Sequence, residues 1–173
     1  MKKIVILIVC LVAVLTGSAS VFPSVIEVAQ WGYFPLAAKR KAAAVCTDAG
    51  DAAVVGIAAR MLVDDVERVT GLQPTMRHEL PSEAAVVAGT LGKSQMIDGL
   101  VKRLKIDVSG IRGKWESFIV TTAKHPKTHA PLLLVIGSDR RGTAFGLTSL
   151  CEAIGVSPWY WWADVTPAHR SAL

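Results

Sequence analysis

A glycine-flanked loop holds the residues of this sequence that are best placed to bind an anion. The loop, residues 137–142, reads Gly-Ser-Asp-Arg-Arg-Gly and lies between an apolar run and an amphipathic segment. Arginine side chains hold carboxylates and phosphates through forked hydrogen bonds, so Ser138, Asp139, Arg140 and Arg141 are candidate substrate-binding residues. The alternative, which we favour, is structural. In it the two glycines allow a tight turn, Asp139 caps the following helix or pairs with an arginine, and the loop braces a neighbouring domain.

A second turn, residues 89–94, reads Gly-Thr-Leu-Gly-Lys-Ser and also follows a predicted strand and opens a predicted helix. This is where a phosphate-binding loop would lie. The Walker spacing fails, however, because Val87 occupies the position of its first glycine. We therefore expect a tight turn in which Ser94 caps the following helix.

A dense aromatic cluster follows Ser157-Pro158 and consists of Trp159, Tyr160, Trp161 and Trp162. Exposed aromatic rings can stack on sugars, but a strand would place alternate rings on opposite faces. An aromatic patch left bare on a lone domain would also promote aggregation. We therefore expect this cluster to pack at an interface with another domain.

The remaining polar residues do not form a self-contained active site. His78, His125, His129 and His169 have no cysteine or carboxylate at metal-ligand spacing. The adjacent carboxylates Asp64 and Asp65 are expected on a solvated helix surface. We nominate no catalytic residue, no metal ligand and no cofactor.

The first twenty residues predict a secretory signal peptide. Lys2 and Lys3 precede an apolar run, residues 4–15, which ends in small residues. The run is too short for a membrane-spanning helix, so we expect cleavage between Ala19 and Phe22 rather than a stable membrane anchor. The mature protein is therefore expected in the periplasm or outside the cell. A lipid anchor is disfavoured because Val9, not a small residue, precedes Cys10.

Composition restricts the kind of partner. The chain has 173 residues and a net charge of +5, which becomes +3 without Lys2 and Lys3. Residues 39–41 are the longest basic run, so nothing favours a nucleic-acid partner. Cys46 and Cys151 lie in apolar segments, where buried free thiols are expected, although an exported protein could form a disulfide.

Apolar periodicity predicts strands that alternate with helices. This order predicts an α/β fold with a mixed sheet and helices packed on it. We expect strands at 42–47, 75–80, 84–89, 115–122 and 132–136, the last central in the sheet, and helices that start near Asp51, Ser94 and Gly142.

Caps and side-chain stripes locate these helices. Asp51 is expected to cap the first helix, and Gly71 to end it. Arg60, Asp64 and Arg68 have the spacing of solvated ion pairs, as do Asp98 and Lys102 on the second helix. The predicted buried stripes of the three helices are Val54, Ala58, Met61, Leu62, Val66 and Val69; Met96, Ile97, Leu100, Val101 and Leu104; and Leu147, Leu150, Cys151 and Ile154.

Five stretches in this order resemble the N-terminal domain of glycoside hydrolase family 115, the xylan α-1,2-glucuronidases. The last of them, S-P-W-Y-W-W-A-D-V, is the most specific. The stretches are residues 66–71, 89–94, 113–118, 137–143 and 155–165.

The resemblance implies an inverting enzyme that removes glucuronic acid or its 4-O-methyl ether from xylan side chains without a redox cofactor. It also implies that this chain resembles the accessory domain that precedes the barrel in hexosaminidases. The catalytic carboxylates would lie in the barrel that follows this domain in the glucuronidase, on opposite sides of the sugar. The implied organisation is a signal peptide (1–20), an accessory domain (24–165) and the start of a linker (166–173) to a catalytic barrel.

The sequence departs from the family at Leu173, because the roughly 250 residues of a barrel do not follow. We therefore expect the chain alone to be inactive, and to act on glucuronoxylan only through a complete enzyme whose barrel is supplied in cis or in trans. The alternative is a stand-alone carbohydrate-binding or partner domain that uses the aromatic cluster.

Overall fold

The computed structural model describes residues 33–173. The predicted signal peptide lies outside this range, as do residues 24–32 of the predicted accessory domain. The elements, in chain order, are β1 (Ala37–Ala38), β2 (Lys41–Ala42), β3 (Ala44–Thr47), α1 (Ala53–Thr70), β4 (Met76–Arg77), β5 (Ala85–Thr90), α2 (Gln95–Leu104), β6 (Phe118–Lys124), β7 (Pro131–Gly137), α3 (Arg140–Ala153) and α4 (Tyr160–Ala163).

Five of the strands form one sheet in the order β4-β3-β5-β7-β6. Strands β4, β3, β5 and β7 pair in parallel, and β6 pairs antiparallel to β7. Val87 of β5 pairs with Cys46 on one side and Leu134 on the other. The predicted mixed α/β fold is confirmed, and β7 is an interior strand, although β5 lies at the centre.

Helices cover both faces of this sheet. Helices α1 and α3 pack on one face, against side chains that include Val45, Val86 and Val135. Helix α2 packs on the other face, against Cys46, Val87 and Leu134. Successive strand residues point to opposite faces, so β5 and β7 need apolar side chains at nearly every position.

The predicted helix ends are confirmed in two places. The Ser94 hydroxyl accepts a hydrogen bond from the Ile97 N–H at 3.2 Å and caps α2. Gly71 adopts a left-handed conformation, with φ of 72°, and its N–H donates to the Glu67 carbonyl. Glycine adopts this conformation without the steric cost that a Cβ brings, so it ends α1 cleanly.

The prediction that Asp51 caps α1 is wrong. Helix α1 begins at Ala53, after Ala52, whose side chain forms no cap. The Asp51 carboxylate instead accepts from the N–H groups of Ala52 and Thr90, both at 2.7 Å. A tertiary contact with the end of β5 thus replaces the local cap.

Three of the predicted strands differ by two residues or more. The predicted strand 42–47 is divided between Ala42 of β2 and the whole of β3, which belong to different sheets. Only Met76 and Arg77 of the predicted strand 75–80 pair with β3. Strand β6 begins at Phe118 rather than at Trp115. The preceding residues form a turn in which Gly113 and Glu116 have positive φ, so they cannot continue a strand.

The outer face of α1 also differs from the prediction. Asp65 is only 5% exposed and forms an ion pair with Arg68, so this carboxylate is buried rather than solvated. Met61, predicted to be buried, is exposed, whereas Val55, Ala59 and Val63 are buried. The buried face is wider than predicted because both the sheet and α3 pack against α1. On α2, Asp98 accepts from the Gly92 N–H instead of pairing with Lys102.

Residues 166–173 fold back onto the domain. The Arg170 N–H donates to the carbonyl of Val69, and Leu173 exchanges backbone hydrogen bonds with Ala37. The Leu173 side chain is buried. Their predicted role as the start of a linker stays a prediction. Across residues 33–173, none of the helices combines the length and apolar character that a membrane span requires.

Candidate functional site

Three strand-to-helix turns meet at one edge of the sheet. Because β3, β5 and β7 run parallel, their carboxyl ends lie side by side. The turns that follow them are residues 48–52, 91–94 and 138–139. In open α/β sheets, ligands bind at this edge, so it is the first place to look for a site.

A buried hydroxyl pair closes this edge between β5 and α3. The Thr90 and Thr143 hydroxyls lie 2.8 Å apart, and the Thr143 hydroxyl also lies 3.1 Å from the Asp139 carbonyl oxygen. The Leu91 N–H donates to the Gly137 carbonyl, which joins the second and third turns. Among the side chains that the structure describes, every buried nitrogen and oxygen has a hydrogen-bond partner. The buried polar side chains at this edge therefore find their partners within the protein.

The carboxylates of the first turn also serve the backbone. Asp48 accepts from the Gly50 N–H at 3.0 Å and from the Met96 N–H at 3.3 Å. These hydrogen bonds, that of Gly50 foremost, lower the pKa of Asp48 below its ordinary value. Such a carboxylate stays ionised and is a poor proton donor at neutral pH.

Ser138 and Asp139, two of the four predicted substrate-binding residues, hold a neighbouring turn. The Ser138 hydroxyl accepts from the Ser117 N–H at 3.1 Å. One Asp139 carboxylate oxygen accepts from the Glu116 N–H at 2.9 Å, and the other accepts from the Gly142 N–H at 2.7 Å. Asp139 thus caps α3, as the structural alternative expected, and these two hydrogen bonds lower its pKa.

The other two predicted residues point to solvent. Arg140 and Arg141 are exposed at the start of α3. The Arg141 guanidinium lies 3.1 Å from a carboxylate oxygen of Glu116 and 5.8 Å from the centre of the Phe145 ring. The loop therefore presents two cations outward, while its serine and aspartate are used internally. A substrate-binding role for these four residues stays a prediction.

The aromatic cluster lies at the short helix α4, with Trp159 directly before it, and not in a strand. Trp159 is 65% exposed and Trp162 is 85% exposed, whereas Tyr160 is half-buried against the core below α1 and α3. Two large rings thus face solvent, and one residue holds the segment to the domain.

Tyr160 is held by a half-buried charged side chain on α1. The Arg68 guanidinium lies 4.2 Å from the centre of the Tyr160 ring, and Arg68 also pairs with Asp65. Burial raises the pKa of Asp65, while the Cys151 thiol of α3 and the Arg68 guanidinium act in the opposite direction. The same buried site therefore joins α1, α3 and α4.

The histidines and cysteines have structural roles where the structure describes their contacts. A ring nitrogen of His78 lies 3.1 Å from the Thr47 carbonyl oxygen, and that of His125 accepts from two backbone N–H groups of its own turn. Cys46 and Cys151 are buried and free, and burial raises the pKa of both thiols, that of Cys46 to about 11. Residues 33–173 contain no group of three or more potential metal ligands.

Sequence reasoning missed one exposed ring. Trp115 was expected within a strand, but it lies in the turn before β6 and is 85% exposed. The signal available in the sequence was its context, Gly113-Lys114-Trp115-Glu116, in which a glycine and two charged residues favour a turn over a strand.

Comparison with known proteins gives a match among solved structures. No family model and no curated protein matches the chain. Among solved structures, a family GH115 4-O-methyl-α-glucuronidase with specificity for decorated arabinogalactans matches it with a TM-score of 0.67 and 29% sequence identity. The match covers 82% of this chain and 17% of the glucuronidase. The fold is thus related to a part of that enzyme, and this chain spans about a sixth of its length.

Proposed function

We propose that this chain is the N-terminal accessory domain of an exported α-glucuronidase that removes glucuronic acid, or its 4-O-methyl ether, from glucuronoxylan. The observation that carries the proposal is the likeness to a glucuronidase over 82% of this chain but only 17% of that enzyme. A segment of that proportion leaves room for a separate catalytic barrel. The order of the family-like stretches supports an N-terminal position.

The carboxylates at the sheet edge support a non-catalytic role. An inverting glycosidase needs a protonated carboxyl group as general acid and an ionised one as general base, about 6.5–9.5 Å apart. Asp48 and Asp139 each accept two backbone hydrogen bonds, which lower their pKa values. A lowered pKa excludes both groups as the general acid, and their hydrogen bonds to the backbone hold them in structural roles. The acid and the base are therefore expected in the barrel.

The α4 segment is the part of this domain that we propose to pack against the barrel. Trp159 and Trp162 are exposed, while Tyr160 and Arg68 fix the helix to the domain. Large rings on a fixed backbone lose little conformational entropy when a partner covers them, and such rings dominate interface energetics.

Activity assays test the division of labour. The chain alone is expected to release no uronic acid from glucuronoxylan. Release is expected only when the barrel is present, in cis or in trans. Decorated arabinogalactan should be assayed beside glucuronoxylan, because the related glucuronidase acts on the former. Release of uronic acid by the purified chain would refute the non-catalytic role.

Removal of the two exposed rings tests the interface. Combined Trp159→Ala and Trp162→Ala is expected to weaken association with the barrel by at least about 100-fold in sedimentation or calorimetry, as loss of a central aromatic anchor does. Ile57→Ala, which shortens an exposed side chain on α1, is the matched control and should bind as the parent chain does. Equal binding by the double variant would exclude α4 as the interface.

The same two rings favour one second candidate, a stand-alone carbohydrate-binding domain. Exposed tryptophans can stack on sugar rings without a barrel. This function predicts that the isolated chain binds xylo-oligosaccharides and that the double variant does not. Binding that survives in the double variant would exclude it.

A further inference from the structure

One exposed tryptophan, Trp115, lies outside the aromatic cluster. Trp115 precedes β6 and is 85% exposed, as much as Trp162 on α4. Neither the buried core nor the proposed interface uses it. A bare indole ring on a soluble domain is a feature that commonly marks a binding surface.

The turn that carries Trp115 is fixed on both sides. The Ser138 N–H donates to the Ser117 carbonyl at 2.8 Å, and the Ser117 N–H donates to the Ser138 hydroxyl at 3.1 Å. Asp139 accepts from the Glu116 N–H, and the Ser117 hydroxyl donates to the Trp115 carbonyl at 3.0 Å. The backbone of Trp115 is thus held before any ligand arrives, which lowers the entropic cost of binding.

Exposed cations lie on this turn and on the start of α3, which is docked against it. Arg112 and Lys114 are exposed on the turn itself, and Arg140 and Arg141 are exposed on the adjacent α3 terminus. Arg141 pairs with Glu116, whereas Arg112, Lys114 and Arg140 form no ion pair with any residue of the range 33–173. The surface therefore carries one flat ring and an excess of positive charge, since four cations face only the carboxylates of Glu116 and Asp139.

We infer that Trp115, Arg112, Lys114 and Arg140 form a subsite for an acidic oligosaccharide. The indole ring would stack on the apolar face of a pyranose, and the cations would hold a uronate carboxylate. The choice of a uronate rests on the proposed function. A single ring suits one sugar better than a single-stranded nucleic acid, which typically needs a series of aromatic side chains for successive bases. Ser138 and Asp139 act here as positioning residues.

Affinity electrophoresis of the full chain tests this subsite. Glucuronoxylan in the gel is expected to retard the chain, and carboxyl-reduced glucuronoxylan, the same polymer without its negative charge, is expected to retard it far less. Trp115→Ala should weaken the apparent affinity by about tenfold, with Trp115→Phe retaining part of it. Combined Arg112→Gln, Lys114→Gln and Arg140→Gln should abolish the preference for the charged polymer and its sensitivity to salt.

The control is Lys102→Gln, which removes an exposed cation from α2 and should migrate as the parent chain does. The inference is overturned if Trp115→Ala binds as tightly as the parent, if both polymers retard the chain equally, or if an oligothymidylate competes as well as a uronate-bearing oligosaccharide. The inference is also overturned if Trp162→Ala loses retardation by glucuronoxylan while Trp115→Ala keeps it. Association with the barrel is measured separately, so failure of the proposed function is told apart from failure of this subsite.

Discussion

The two glycine-bearing turns at the edge of the sheet look alike in sequence but have different tasks. At the end of β5, Gly89 makes room for Ser94 of the first turn, because a Cβ at Gly89 would lie 2.6 Å from the Ser94 side chain. At the start of α3, directly after the second turn, Gly142 makes room for the Ser117 carbonyl oxygen of another segment. The first turn is closed on itself and the second is docked on the Trp115 turn. Glycine at a strand-to-helix turn therefore indicates close packing as readily as phosphate binding.

Gly142→Ala should break the second turn and is the largest effect that we expect. Its Cβ would overlap the backbone of Ser117, which hydrogen bonds hold in place. We expect the free energy of unfolding to fall by about 3 kcal/mol or more, the upper range for overpacking. Gly99→Ala in α2 is the matched control, since a Cβ there meets nothing within 4 Å. Denaturant unfolding of both variants measures the difference, and equal stabilities would show that the turn is not docked.

Removal of the two helix caps should distinguish the turn after β5 from the turn after β7. Asp139→Ala and Ser94→Ala each remove a capping acceptor, which costs about 0.5–2 kcal/mol. Asp139→Ala also frees the Glu116 N–H, so it alone should mobilise the turn of Trp115. Hydrogen exchange at Glu116 and Ser117 reads this out. Equal protection in both variants would contradict the link between α3 and that turn.

Acid should remove the contribution of the second turn in a defined direction. Hydrogen bonds from the Glu116 and Gly142 N–H groups lower the pKa of Asp139 in the folded state. Its charge therefore stabilises the fold fully above the unfolded pKa of about 3.9, and this stabilisation is lost as pH falls through the lower folded value. The stability difference between the parent chain and Asp139→Asn should shrink below about pH 4. A difference that grows with acidity would reverse the assignment.

Local patterns predicted the elements that depend on local interactions. Ser94, Gly71 and the α3 stripe could be predicted because a cap or a stripe needs only residues of its own helix. Asp51 could not, since its partner Thr90 is 39 residues away. Asp65 was assigned to solvent because nothing in its sequence context indicates that α3 covers it. Propensity placed Trp115 in a strand, and a tertiary contact from Asp139 placed it in a turn.

Both candidate sites could be located from the sequence, but their geometry depends on residues that are distant in the sequence. The Gly137–Gly142 loop could be located from sequence, but the division between two inward and two outward side chains depends on where the Trp115 turn docks. The aromatic cluster was identified by composition alone. Its helical form and the cation beneath Tyr160 depend on α1, which is distant in sequence.

The asymmetry of the sheet's two sides has a consequence for handling the protein. Its two edge strands are β4, only two residues long, and β6, seven residues long. No strand within residues 33–173 pairs with the outer side of β6. Unpaired strands of this length template intermolecular pairing, so fibrillar or amorphous precipitates are expected to grow from β6 rather than from β4. A lysine added on that flank is the change that should keep concentrated solutions clear.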